Sequence, residues 1–314
     1  MPSDALLAIH GGAGTLRPEA MVADVEAAFH AGLRAALLAG HRVLAAGGPA
    51  VEAVTAAVIA LEDDPLFNAG RGAVFTADGR QEMDAAVMDG AAGRAGAVAG
   101  IRGPRNPVLA ARAVMERSDH VLLAGPGALA FLRAEGVPFA DDAWFETDAR
   151  RAALAAVLRD RAQGVAADDF DRHGTVGAVA RDQAGRLAAA TSTGGLTGKL
   201  PGRVGDTPVL GAGTWADAAC AISATGHGES FMRLAVAHEV SARVRLAGQE
   251  LERAAADVIA TVGAAGGDGG LIAVGRDGRM AMPFNTRGMY RGTVGADGIV
   301  RTGIYAGALR QHAT

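Results

Sequence analysis

HGTVGAVARDQAGRLAAATST, residues His173 to Thr193, is the stretch whose reading decides the fold. TVGAVARD and RLAAATST are small-residue β runs, and a turn around Gln183 to Gly185 joins them into a hairpin. A three-residue loop flanked by Asp182 and Arg186 pairs those two residues, and the same register carried to the open end sets Thr175 opposite Thr193. Another loop type moves the partner by about one residue, so the requirement is that the two ends of the hairpin lie together.

Upstream, Asp148 to Gly174 passes from an alanine-rich helical stretch into QGVAADDFDRHG, where charge and glycine dominate. The segment from about 160 to 174 reads as a mobile linker. A cut after Gly174 would turn Thr175 into a residue with both a hydroxyl and a free α-amine. Such an amine has a reference pKa of ~7.7–8.0, so near neutral pH a useful fraction is unprotonated and can take the hydroxyl proton. Glycine at 174 lacks a Cβ and accepts the strained backbone that attack by the next residue's hydroxyl requires. Taken alone, a Gly-Thr pair after a polar linker more often just begins a strand.

Further out, Leu6 to His10 is a short apolar run stopped by GGAG, which reads as a buried strand entering a glycine loop. Alanine-rich stretches from Pro18 to about Ala45 and from Ala50 to Glu62 have the three-and-four spacing of helices packed on a sheet. Between roughly Ala73 and Ile101 the runs GAVF, DAAVMDG and AGAVAGI suggest strands or their edges. Helical patterns return at about Val108 to Arg117 and Gly127 to Glu135, then at Glu229 to Ala247 and Glu250 to Val262. GLIAVGRDGRMAMPFN reads as a second hairpin turning at Asp277 and Gly278. Strand and helix blocks in this order favour an α/β (α+β) sandwich of sheets between helical layers, and no internal repeat marks a solenoid or propeller.

At 314 residues the chain can bury a large core. Only 4% of residues are aromatic, while 45 are glycine, so that core has to be built from small aliphatic side chains in close layers. A net charge of −4 with no basic stripe argues against a nucleic-acid partner. Cys220 is the only cysteine, so no intrachain disulfide is possible, and the eight histidines include no HExxH pair or zinc-spaced cluster. MPSDALLAIHGG, with Asp4 before a very short apolar run, does not read as a secretory signal. No run of ~20 apolar residues suits a membrane helix, so a cytoplasmic protein is expected.

Three motifs are offered and withdrawn. HGGAG at His10 to Gly14 is similar to the oxyanion loop of lipases, but no G-x-S-x-G elbow accompanies it; the nearest, Gly228 to Met232, ends in methionine. Gly211, Gly213 and Ala216 satisfy a dinucleotide fingerprint, yet AACAISATG after them reads as a strand where a helix is needed. GGLTGKLP lacks the Walker spacing and a Ser or Thr after Lys199.

HGTVGAVARD, TSTGGLTGKLPGRVGD and SATGHGES occur in this order, accompanied by AIHGGAG, DDPLFNAGRGAVFT, EMDAAVMDG, GGLIAV and MPFNTRGMYRG. Together they resemble the plant-type asparaginases and isoaspartyl peptidases over nearly the whole chain. The resemblance implies a four-layer αββα sandwich of the N-terminal nucleophile hydrolase type, one domain over 1–314. It also implies that the chain cuts itself into an α part, 1–174, and a β part, 175–314. Thr175 would be the nucleophile, Thr193 its hydrogen-bonding neighbour, and Asn68 a support of the nucleophile's surroundings. Arg203 and Asp206, three apart in a glycine-rich loop, would clamp the carboxylate and the ammonium of an aspartyl substrate. Thr225 and Gly226 would form the oxyanion site, and the Gly228 carbonyl would approach the ammonium. His227 stands where other members carry Thr and is expected at the pocket rim. Main-chain carbonyls of Leu61, Glu62, Asp64, Phe67, Ala69 and Arg71 would hold a sodium ion, a site that side chains alone do not reveal. No organic cofactor is implied, and the expected assembly is a homodimer of αβ units.

The implied chemistry is acyl transfer to Thr175 from L-asparagine or a β-aspartyl dipeptide, followed by hydrolysis. A glycosylasparaginase shares the nucleophile logic, and an uncut, non-catalytic binder of aspartyl ligands is the reading from another class.

Overall fold

The structure, a computed structural model, describes residues 5–14, 19, 21–164 and 174–312. Most of the expected linker, 165–173, and the expected first residue of the first helix, Pro18, lie outside the described residues.

The chain opens with β1 (Leu6–Gly14), α1 (Ala23–Ala45) and α2 (Ala50–Asp63), then β2 (Met83–Asp89), β3 (Arg94–Ile101) and α3 (Pro107–Arg117). Next come β4 (Leu122–Ala124), α4 (Gly125–Ala134), the single-turn α5 (Asp142–Phe145) and α6 (Asp148–Ala162). After residue 174 follow β5 (Val176–Arg181), β6 (Leu187–Thr193), β7 (Thr214–Ala216) and β8 (Cys220–Gly226). Helices α7 (Gly228–Leu234), α8 (Val236–Ala247) and α9 (Leu251–Ala264) precede β9 (Gly269–Gly275), β10 (Met280–Ala281), β11 (Gly288–Val294), β12 (Val300–Tyr305) and β13 (Arg310–His312).

Among the described residues, nine strands form one sheet in the order β13-β12-β11-β1-β5-β6-β2-β3-β4, and four form a second, β10-β9-β8-β7. Alternation along each strand sends one row of side chains to each face. Leu7 and Ile9 of β1 meet Leu33, Leu37, Val54 and Val58 of α1 and α2, while Ala8 between them faces Ile272 and Val274 of the second sheet. On the far side, Ile222 and Leu271 pack against Val240 of α8 and Val258 of α9. Three cores separate four layers, helices, sheet, sheet and helices, so the α/β sandwich is of the αββα kind. Alanines 8, 189, 216 and 221 in the central core let the two sheets approach closely.

The hairpin has the expected register, with Val176 opposite Ser192 and Arg181 opposite Leu187. Its turn is fixed by Asp182, whose Oδ1 accepts the N–H groups of Ala184 and Arg186 at 2.9 and 3.0 Å, and by Gly185 at φ 75°.

Three elements depart from the sequence reading. The glycines after His10 continue β1 through a bulge, because Gly12 takes φ 117° and a Cβ on Gly11 would lie 2.4 Å from the Phe67 ring. GAVF leaves a tight turn at Gly72 and runs on without forming a strand, and Thr76, the residue after it, makes an isolated bridge to Lys199. The helix expected over Glu229 to Ala247 breaks at Ala235, at φ 46°. The left-handed region costs alanine about 1–2 kcal/mol; offsetting it, the first N–H groups of α8, from Ala237 and His238, donate to Ala212 and Gly211. No helix among the described residues is long and apolar enough to cross a membrane.

Candidate active site

Thr175 stands one residue before β5, buried where the ends of β5 and β6 meet. Its hydroxyl donates to Thr193 Oγ1 at 3.2 Å. Thr193 in turn donates to the Gly174 carbonyl at 3.0 Å and accepts the N–H of Gly195 at 2.9 Å. Asn68 reaches the same carbonyl from the other chain segment, with Nδ2 at 2.8 Å from Gly174 O and 2.7 Å from Gly195 O. Its Oδ1 accepts the Val74 N–H, which fixes the amide's orientation. The carbonyl joined to Thr175 therefore has two side-chain donors aimed at it, an arrangement suited to negative charge developing on that oxygen.

The loop after β6 supplies the charged groups. Arg203 points its Nε and Nη2 side-on at Glu229, 3.0 and 2.9 Å from the two carboxylate oxygens. Asp206 is buried apart from that pair, and its Oδ2 has no hydrogen-bond partner among the described residues. Burial pushes its pKa up to about 7; Glu229 and Asp84 add to the rise while Arg203 opposes it. An unpartnered buried carboxylate oxygen is costly, and a cationic ligand group would satisfy it. A Cβ on Gly228 would lie 2.8 Å from Asp206 Oδ1 and 3.1 Å from Arg203 Nη2, so only glycine keeps this space open.

Sequence reasoning passed over the groups that hold this loop in place. Glu82 accepts the N–H of Gly202 at 2.7 Å, and its backbone carbonyl accepts Lys199 Nζ at 2.7 Å. Asp84 accepts the Gly100 N–H at 2.7 Å and faces the Gly205 N–H at 3.5 Å. Burial lowers the Lys199 pKa and raises that of Asp84, and each opposes the other's shift. No local signal marked Asp84: its place opposite Thr193 comes from the pairing of β2 with β6, which only the fold sets. Lys199, dismissed above as part of a failed phosphate loop, is a buried tether.

On the other side, Thr225 is fully buried and its Oγ1 accepts the Ala13 N–H at 3.2 Å, leaving the hydroxyl proton to donate elsewhere. Gly226 takes φ 148°, and a Cβ there would lie 2.3 Å from Asp268 O. His227 sits half exposed at the rim, Nε2 3.2 Å from Glu229. Gly174, Thr175, Thr193, Arg203, Asp206 and Gly226 all line one cavity, of only about 10 Å³ with the 174–175 bond intact. That volume holds about one water molecule.

The loop after α2 carries the carbonyls expected to hold a sodium ion. Pro65 has no N–H to close the last helical bond to Leu61, and the Leu66 N–H, next in line for Glu62, goes to Asp64 Oδ1 at 3.0 Å. Gly70, at φ 53°, presses on the Glu62 carbonyl, where a Cβ would stand 2.5 Å away. Of the expected set, the carbonyls of Asp64, Phe67 and Ala69 already accept the N–H groups of Phe67, Ala69 and Gly72 at 3.2, 3.0 and 3.1 Å, which leaves each a second lone pair. Arg150 is already bound to two neighbouring carbonyls, those of Gly72 at 2.8 Å and Leu66 at 3.2 Å, neither of them in the expected set.

The asparaginase family matches this chain over residues 3–304. The isoaspartyl peptidase of Salmonella typhimurium is 48% identical over 311 residues, covering 96% of this chain and 98% of that protein. The isoaspartyl peptidase of Escherichia coli is 47% identical over 308 residues, 96% of each. The plant-type L-asparaginase of Pyrococcus abyssi is 42% identical over 294 residues, 90% of this chain and 93% of that one. With a match that passes through every segment lining the cavity, the chain belongs to the asparaginase family of hydrolases, among the isoaspartyl peptidases and plant-type L-asparaginases.

Proposed function

We propose that this chain is a self-activating threonine hydrolase that releases aspartate from β-aspartyl dipeptides and from L-asparagine. The observation that carries the reading is the Gly174 carbonyl, held by Asn68 and Thr193 beside the Thr175 hydroxyl. In the uncut chain Thr175 Oγ adds to that carbonyl, and its proton is passed on to the Thr175 nitrogen. The two donors hold the resulting oxyanion; as it collapses the protonated nitrogen leaves as the α-amine, the C–N bond breaks, and the acyl group stays on Oγ as an ester. Water cleaves the ester, leaving 1–174 and 175–314 with a free α-amine on Thr175. Departure of the Gly174 end from the cavity makes room for substrate.

In the mature enzyme the α-amine takes the Thr175 hydroxyl proton as Oγ attacks the substrate's β-carbonyl. Thr225 and the Gly226 N–H stabilise the oxyanion. Asp206 receives the α-ammonium together with the Gly228 carbonyl, and Arg203, steadied by Glu229, receives the α-carboxylate. Ammonia or an amino acid leaves, and water then frees aspartate. The clamp reads only the aspartyl half, so varied leaving groups are accepted. A sodium ion on the carbonyls of Leu61, Glu62, Asp64, Phe67, Ala69 and Arg71 would stiffen the loop that presents Asn68. A dimer of αβ units in the cytoplasm is the setting carried by the family resemblance.

Denaturing mass spectrometry, paired with an assay for aspartate, tests this. Two fragments divided after Gly174, with aspartate released from a β-aspartyl dipeptide and a glycosylated asparagine untouched, are expected. A stable 31.5 kDa chain without activity after long incubation sinks the reading in favour of a binding protein. Within the cut enzyme, Gly228→Ala is expected to raise KM at least ~10-fold, since the new methyl would stand 2.8 Å from Asp206 Oδ1 and 3.1 Å from Arg203 Nη2 and displace the clamp.

A further inference from the structure

We propose that His10 is the positioning residue of the nucleophile: its Nδ1–H holds the Thr175 carbonyl, and a buried chain of hydroxyls fixes the ring in the tautomer that does so. The proposal rests on the reading of Thr175 as nucleophile. His10 lies in β1 opposite Gly177 of β5 and is fully buried. Its Nδ1 is 2.8 Å from Thr175 O, and its Nε2 is 2.8 Å from Ser223 Oγ. A carbonyl oxygen only accepts, so Nδ1 carries the proton and Nε2 accepts from Ser223. Ser223, its proton so used, accepts from Thr191 at 2.8 Å, and Thr191 accepts from Thr214 at 2.7 Å. Thr214 also faces the Thr207 carbonyl at 3.0 Å, so the four protons serve more than four contacts; the four shorter ones, 2.7–2.8 Å, are all filled when the chain runs from Thr214 to Thr191 to Ser223 to His10 to Thr175, through buried groups between the two sheets. Burial drives the His10 pKa down to about 3, which keeps the ring neutral and able to accept at Nε2.

Gly177 makes room for this chain. A Cβ there would lie 2.0 Å from Ser223 Oγ and 2.5 Å from His10 Nε2. Once the 174–175 bond is cut, Thr175 loses its covalent hold on the N-terminal side. Thr193 still holds Oγ itself, but the backbone that carries Oγ and the α-amine is then fixed, and aimed at the substrate, through the Thr175 carbonyl and strand β5. An error of about 1 Å in such aim costs up to ~10²-fold in rate.

His10→Asn and His10→Leu separate positioning from packing, because an Asn Nδ2 stands one bond beyond Cγ, where the imidazole Nδ1 stands, and keeps the donor. In cut, folded protein His10→Leu is expected to lower kcat ~10–100-fold with KM within about threefold, and His10→Asn to recover kcat to within about fivefold of wild type. Gly177→Ala should lower kcat in the same way without touching substrate. If the leucine variant does not fold, Gly177→Ala and nitrogen NMR on wild type carry the test. NMR should find His10 neutral, with its proton on Nδ1, from pH 8 down to about pH 4. An unchanged kcat in His10→Leu or Gly177→Ala, an asparagine variant no better than the leucine one, or a proton on Nε2 overturns the proposal. A wild-type chain that stays uncut and inactive sinks the hydrolase reading instead, and the NMR arm then still decides the direction of the chain.

Discussion

Thr175→Ala is expected to yield a single uncut chain of 31.5 kDa whose hydrolysis of β-aspartyl dipeptides is at least ~10⁴-fold below wild type. Both reactions assigned to this residue need the same oxygen, once against the Gly174 carbonyl and once against substrate. The substitution removes one hydrogen bond, to Thr193, worth about 1 kcal/mol. Thr193 keeps its contacts to Gly174 O and the Gly195 N–H, and Asn68 keeps all three of its own, so the fold survives. A circular dichroism melt within a few degrees of wild type would tie the loss to chemistry. Thr175→Ser, which retains the hydroxyl and can still expose an α-amine, is expected to cut and to hydrolyse measurably. An alanine variant that still releases aspartate removes Thr175 from the mechanism.

The hairpin was legible because everything that sets it is local. Asp182, Gly185 and the loop length between 182 and 186 fix the turn, and a period of two then carries the register to Thr175 and Thr193 without reference to the rest of the chain. α2 and α3 were legible almost to the residue for the same reason, their apolar spacing being continuous and their ends marked by Pro49 and Pro107. The break at Ala235 had no such mark. An alanine in the left-handed region is imposed by backbone bonds to Gly211 and Ala212, which only the tertiary fold brings near. β1 is likewise paired with β11, almost the whole chain away, so nothing local tells that its glycines stay in the sheet.

The site divides along the same line. Residues in contiguous motifs, Thr175, Thr193, Arg203, Asp206, Thr225 and Gly226, were named from sequence, and the fold brings them to one cavity, apart from Thr225, which lies directly beside it. Their supports were not named. His10 looked like part of a lipase oxyanion loop, Lys199 like a failed phosphate loop, and Glu229 like the start of a helix. Each acts through a partner far off in sequence: His10 through Thr175 and Ser223, Lys199 through Glu82, Glu229 through Arg203. Nor did three-residue spacing reveal that Arg203 and Asp206 would face different partners, one a carboxylate within the protein and the other none among the described residues.

Asp206→Asn is expected to lower kcat/KM for L-asparagine by about 10²–10³-fold, the effect of deleting one member of a buried, hydrogen-bonded charge pair. The pH profile gives a sharper signature. With its pKa raised to about 7 by burial, Asp206 is neutral below that pH and cannot attract the substrate's ammonium. A second limb comes from the Thr175 α-amine, protonated and useless as a base below its reference value of ~7.7–8.0. Log kcat/KM for the wild type should therefore climb with slope two below about pH 7, with slope one just above it, and level off past about pH 8. The asparagine variant should climb with slope one only, also below pH 7, and level off past about pH 8. Stability moves the other way. A carboxyl whose folded pKa lies above its unfolded value loses its proton first in the unfolded chain, so holding it ionised in the fold weakens stability increasingly from about pH 4 to pH 7. Asp206→Asn should then melt at or above the wild-type temperature at pH 8 and show no gain at pH 3, despite its lost activity. A variant that loses activity and stability together at pH 8, with its pH slopes unchanged, makes Asp206 a structural residue and leaves the ammonium without a partner.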